Sequence, residues 1–157
     1  MEFILRGQAR PKLDDKWRVA LAPKFRDQMS PELVVVCEME PCLGVYNQQD
    51  HDQQYQVYRE APTTFAQVRD FKRFLLADSE NVHPDGQGRV PLTAEQRQHA
   101  HLDKEILVIG CGDHLEIWDP DVWSEYKARI RSQYANFDGS ILPQAVPAAT
   151  APTPPSP

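Results

Sequence analysis

The sequence predicts an α+β fold, mainly strand with flanking helices, in which two tandem copies of one short unit share a core. Three observations carry this. Asp14, Arg18, Val19, Leu21 and Arg26 recur, all at one offset, as Asp85, Arg89, Val90, Leu92 and Arg97. Short apolar runs return in the same order, Leu33-Val34-Val35-Val36 as Ile106-Leu107-Val108-Ile109 and Cys42-Leu43-Gly44-Val45-Tyr46 as His114-Leu115-Glu116-Ile117-Trp118. A tyrosine then follows each terminal aromatic at similar distance, Tyr55 and Tyr126. Repeated units pack as equivalents, and 157 residues suffice for one body with a shared core. The expected boundaries are 1–76 for the first repeat, 77–138 for the second and 139–157 for a tail.

Taken in order, Phe3 to Ala9 reads as a short strand, and Pro11 confines the next residues to an edge or turn. Leu13-Asp14-Asp15-Lys16-Trp17 reads as a hairpin turn returning through Arg18 to Leu21, with Pro23 opening a short helix. Leu33 to Cys37 is a buried strand by its β-branched run, with Leu43 to Tyr46 as its antiparallel neighbour. Asn47 to Arg59 is a polar helix, and Thr63 or Thr64 caps a second one carrying Phe65, Val68, Phe71, Phe74 and Leu75 at helical spacing. The second half repeats the turn at Asp85 to Gly88 and the strand at Arg89 to Leu92. There Thr93-Ala94-Glu95-Gln96 supplies a capping box. Strands come next at Glu105 to Gly110 and Leu115 to Trp118. Asp119-Pro120 then starts a helix with Trp123, Tyr126, Ile130 and Tyr134 on one stripe. The Pro- and Ala-rich composition from Gly139 onward predicts a disordered tail.

Charge narrows the function classes. The formal net charge of −6 argues against a polyanionic partner, but its distribution reverses that. Residues 1–26 carry Arg6, Arg10, Lys12, Lys16, Arg18, Lys24 and Arg26 against only Glu2, Asp14 and Asp15, so one edge can attract a polyanion that the rest repels. With no membrane-length apolar run and no signal segment, a cytoplasmic protein is expected, and Cys37, Cys42 and Cys111 read as reduced thiols. His99, His101, Cys111 and His114 lack the spacing of a zinc site, so no metal or other cofactor is expected. Nor does any Gly-rich phosphate loop or nucleophile arrangement point to an enzyme or a small-molecule substrate.

The two turns, Asp14/Arg18 and Asp85/Arg89, together with Pro11-Lys12-Leu13-Asp14-Asp15-Lys16, Lys24-Phe25-Arg26, Gln87-Gly88-Arg89 and Leu115-Glu116-Ile117-Trp118-Asp119, resemble the MraZ family of bacterial transcriptional regulators. The resemblance implies an AbrB-like swapped-hairpin, or double-split β-barrel, fold and binding to DNA repeats ahead of the division and cell-wall gene cluster. It also implies a ring-shaped homo-oligomer in the cytoplasm, associated with the nucleoid. The family's binding residues match Lys16 and Arg18.

The residues themselves agree with this. An Asp side chain that accepts from backbone N–H groups downstream fixes its turn and leaves the following cations projecting, so Asp14 and Asp85 are expected to organise the turns. Lys16 and Arg18 can then reach phosphates or, for arginine, a guanine edge, with Arg10 and Lys12 beside them. The second turn lies in an acidic stretch with Asp78 and Glu80, so Arg89 is expected to be structural, paired within the fold. Trp17 stands where the family usually has glycine or another small residue; it either stacks on a sugar or base or packs on a neighbouring subunit. The rival reading is an antitoxin-like scaffold of the same fold that grips protein partners.

Overall fold

The computed structural model describes residues 3–142. Its strands are Gln8–Ala9 (β1), Arg18–Ala20 (β2), Leu33–Cys37 (β3), Leu43–Asn47 (β4), Glu80–Val82 (β5), Arg89–Pro91 (β6), Leu107–Gly110 (β7) and His114–Trp118 (β8). Its α-helices are Pro23–Arg26 (α1), Gln48–Arg59 (α2), Ala66–Ala77 (α3), Ala94–His99 (α4) and Pro120–Tyr134 (α5). The first residues of the expected tail, Gly139–Ile141, form a 3₁₀ turn capped by Asp138, whose Oδ1 accepts from the Ser140 N–H. The remainder of that tail lies outside the described residues.

The strand order exposes the duplication as an approximate two-fold. Six antiparallel strands run β1-β7-β8-β4-β3-β5, a sequence that reads the same from either end once each strand is replaced by its repeat counterpart. At the centre, β4 meets β8 with Gly44 opposite Glu116, its own counterpart. A second ladder, β2 with β6, places Val19 opposite Val90, Arg18 opposite Pro91 and Ala20 opposite Arg89.

These pairings exchange strands between the halves. The first half's β1 bonds to the second half's β7, and the second half's β5 bonds to the first half's β3. Lys12 bridges to Glu105 in the same sense. Arg18 to Ala20 is therefore not the return arm of a hairpin within its own repeat; its ladder partner comes from the other one. This is the swapped-hairpin arrangement. Among the described residues the six-stranded sheet keeps β1 and β5 as its two ends, with β2-β6 as a separate ribbon, and no ladder closes it into a barrel.

Apolar pattern explains the layers. Every residue of β3 and β4 is buried, because one face packs on the shared core of Leu5, Phe25, Val35, Leu43, Val90 and Leu115 while the other is covered by side chains of the helical layer. On β8, Trp118 meets Trp123 and Tyr126 of α5 with ring centroids 5.2 and 4.9 Å apart. The outer end of the same helix carries Ile130 and Tyr134 in solvent.

Local signals account for most boundaries. Thr93 and Gln96 form the expected reciprocal capping box, and the Gln96 amide, fully buried, donates to the carbonyls of Asp78 and Val35, tying α4 to β3. Asp119 caps α5 through the N–H groups of Asp121 and Val122, with Pro120 at the first position. Helix α3 starts later than Thr63 or Thr64: Phe65 is its N-cap, without a side-chain cap, and the two threonine carbonyls instead accept from Arg69.

Val19 and Val90 are both fully buried and face each other on the dyad. Val19→Ala and Val90→Ala should therefore each destabilise by roughly 1–3 kcal/mol, with a double mutant that departs from additivity because both truncations open one space. Urea unfolding of the three variants measures this, and strictly additive effects would contradict a shared site.

Candidate nucleic-acid interface

Each turn is built by one carboxylate. Asp14 Oδ1 accepts the backbone N–H groups of Lys16 and Arg18, both at 2.9 Å, while Oδ2 accepts Arg18 Nε at 2.8 Å. Asp85 repeats this with Gln87 and Arg89 at 2.9 and 3.0 Å and with Arg89 Nε at 2.6 Å. The turns also close through their backbones, Trp17 N–H to Asp14 and Gly88 N–H to Asp85. The Arg89 backbone N–H, with support from the Arg89 side chain and the Gln87 N–H, holds the Asp85 carboxyl down at about 2 against the opposing effect of desolvation. Asp14 is lowered by the same set of donors, led by the Arg18 N–H.

The strand exchange sets the two turns side by side. The Trp17 carbonyl accepts from Leu92, the Gly88 carbonyl accepts from Leu21, and Arg18 Nη1 lies 3.8 Å from Asp85 Oδ2. Both arginines pair with their own turn aspartate, Arg18 alone also reaches the carboxylate of the other turn, and their exposure is close, 25% for the Arg18 side chain and 31% for Arg89. Pairing therefore does not single out Arg18 as the projecting one. In both, Nε is committed to the turn aspartate and the terminal nitrogens make no hydrogen bond among the described residues.

What separates the turns is their surroundings. Arg10, Lys12 and Lys16 are exposed and enter no ion pair among the described residues; their repeat counterparts are Asn81, His83 and Gln87. Three exposed cations thus flank the first turn, where the equivalent positions of the second hold uncharged side chains.

Trp17 has a partner that neither expectation supplied. It sits at φ 57°, the left-handed region that its counterpart Gly88 occupies at φ 72°. Arg26 lies over Gly88 so closely that a Cβ there would come within 2.6 Å of its Cδ and Nη1. By the same symmetry Arg97 lies over Trp17, 4.1 Å from the ring centroid, and Lys104 lies 4.4 Å away. A left-handed non-glycine residue costs roughly 1–2 kcal/mol, which two cation–π contacts of about 0.5–2 kcal/mol each offset. Within the chain the indole is thus engaged by Arg97 and Lys104. Both were missed from sequence, although Arg97 is visible there as the repeat of Arg26.

Fold and site together define a tandem swapped-hairpin protein that presents two Asp–Arg turns on one edge. A family model described as "MraZ protein, putative antitoxin-like" matches residues 4–74 and again 75–139. A protein named transcriptional regulator MraZ from Thermobifida fusca is 39% identical over 137 residues, 87% of this chain and 96% of its own length. Those of Leifsonia xyli subsp. xyli and Mycobacterium ulcerans, with the same name, are 36% identical over 87% of this chain and 96% of theirs, and 41% identical over 77% and 85%. The chain belongs to the MraZ family.

Because the folded Asp85 carboxyl titrates below its ordinary value of 3.8, its contribution to stability is fully present above about pH 4 and is lost as pH falls through about 2. Asp85→Asn lacks that contribution, so the stability difference between wild type and variant should shrink as pH falls from about 4 to about 2. Melting curves from neutral pH to pH 2 measure it; a difference constant across that range would show that the carboxylate does not hold the turn.

Proposed function

We propose that this chain is a non-enzymatic transcriptional regulator that binds double-stranded DNA through its first turn. It acts as a ring-shaped homo-oligomer on promoter repeats ahead of the division and cell-wall gene cluster, in the cytoplasm at the nucleoid. The observation that carries this is the flank of Arg10, Lys12 and Lys16 beside arginines already aligned by their aspartates. Preset arginines lose little freedom on binding, and flexible lysines suit phosphates. The names of the relatives support the regulatory reading.

Arg18 presents its terminal nitrogens to a base edge, while Arg10, Lys12 and Lys16 hold the backbone. Trp17, clasped by Arg97 and Lys104, supports the tip instead of intercalating. Arg89 offers a weaker second contact in less basic surroundings. Val57, Tyr58, Phe65, Phe74 and Leu76 stand in solvent on α2, α3 and their junction, an apolar surface that supports assembly with further copies. Linked tips would raise the effective concentration of each further contact on repeated sites. The family's description as antitoxin-like favours a second reading, in which that apolar surface grips a protein partner.

No helix of the described residues is long and apolar enough to cross a membrane. Mobility shift against a duplex carrying the protein's own upstream region tests the proposal. Lys16→Ala should weaken binding and flatten the salt dependence by about one unit of log–log slope per tip, whereas Arg18→Ala should lose roughly 1–3 kcal/mol per tip and relax sequence preference. Gln87→Ala should bind as wild type. Unchanged affinity in both Lys16→Ala and Arg18→Ala, with the fold intact by circular dichroism, would overturn it.

A further inference from the structure

On the sheet face opposite the shared core, β8 places His114 and Glu116 on one side, two residues apart, and the β7–β8 turn brings Cys111 beside them. One ligand atom of each lies within 4.8 Å of the others. Sequence spacing alone concealed this group, because the carboxylate comes from the strand and the thiol from the turn.

The remaining atoms of these side chains are already tied. His114 Nδ1 is 2.7 Å from Asp113 Oδ1, and its ring stacks on Tyr46 at 4.4 Å with planes 13° apart. Trp118 Nε1 donates to Glu116 Oε1 at 3.0 Å. These contacts leave His114 Nε2 and Glu116 Oε2 facing each other at 3.4 Å. That separation matches the edge of a tetrahedron around zinc, about 3.3 Å for ligand bonds near 2.0–2.1 Å. A carboxylate on one nitrogen of a histidine, with the other nitrogen aimed at the site, is also how metal-bound imidazoles are oriented.

The site is also acidic, with Asp113 and Glu116 each contacting one ring nitrogen of His114. Glu38, which accepts from the Tyr46 hydroxyl at 2.7 Å, adds a further carboxyl from the β3–β4 loop.

We propose that Cys111, His114 and Glu116 form a three-ligand site for a zinc-class divalent cation, with water in the fourth position. Thiolate, imidazole and carboxylate together suit zinc and its spectroscopic substitute cobalt. On binding, the Cys111 thiol releases its proton to solvent and its sulfur takes the metal bond. Because the thiol must lose its proton to bind, loading strengthens as pH rises. The bound ion would staple the β7–β8 turn to β8, beside the central β4–β8 pair.

Chelator-dialysed full-length protein titrated with Co²⁺ should take up one ion per chain, with a sulfur-to-cobalt charge-transfer band that Zn²⁺ abolishes. Cys111→Ser should lose the band and His114→Gln should lose uptake, each with an unchanged circular dichroism spectrum. Asp113→Asn, which disturbs only the orientation of His114, should weaken affinity by about 10–100-fold, and His99→Ala should leave it unchanged. Absence of uptake, with His114 protonated at neutral pH by NMR, would overturn the site in favour of a simple His–Glu ion pair. A band that survives Cys111→Ser but disappears in Cys37→Ser would overturn it as well.

Discussion

Neither half of this chain can complete its own strand edges. The outer strands β1 and β5 span only two and three residues, and both are bonded across to the other repeat. Unpaired backbone groups are costly when buried, so the repeats must interlock or leave the core open. Interlocking has a geometric consequence: the two Asp–Arg turns, 71 positions apart in sequence as residues 14–18 and 85–89, end on one edge with Arg18 reaching toward Asp85.

That edge has kept its geometry while changing its chemistry. Both carboxylates accept two backbone N–H groups and one arginine Nε, and both tips place a left-handed residue under an arginine from the other half. At one tip the residue is Gly88, which lets Arg26 lie on the backbone; at the other it is Trp17, which offers Arg97 a ring. Repeat symmetry thus explains why a large aromatic is tolerated at a position suited to glycine. The lysines and Arg10 around the first turn have no such constraint. They mark the direction in which the two repeats have diverged.

Much of this was legible in the sequence because it is local or periodic. The β-branched run at 33–37, the Thr93 capping box and the Asp119-Pro120 helix start each depend on residues within one turn or strand, and each falls where its residues predict. The duplication gave the Asp turns directly. Strand β5 was hidden, since Glu80 and Asn81 are exposed and only Val82 is buried, which leaves no alternation to read. The exchanged pairing of β2, the clasp on Trp17 and the meeting of Cys111 with Glu116 depend on which strands become neighbours. Periodicity does not encode that choice.

Lysine acetylation footprinting of the intact protein, free and bound to a duplex carrying its own upstream region, tests most directly whether the first turn is the DNA edge. Lys12 and Lys16 should be protected by the duplex, while Lys127 on the exposed side of α5 should react equally in both states. Protection of Lys127 with Lys12 and Lys16 still reactive would contradict the assignment and place nucleic acid on the helical layer instead.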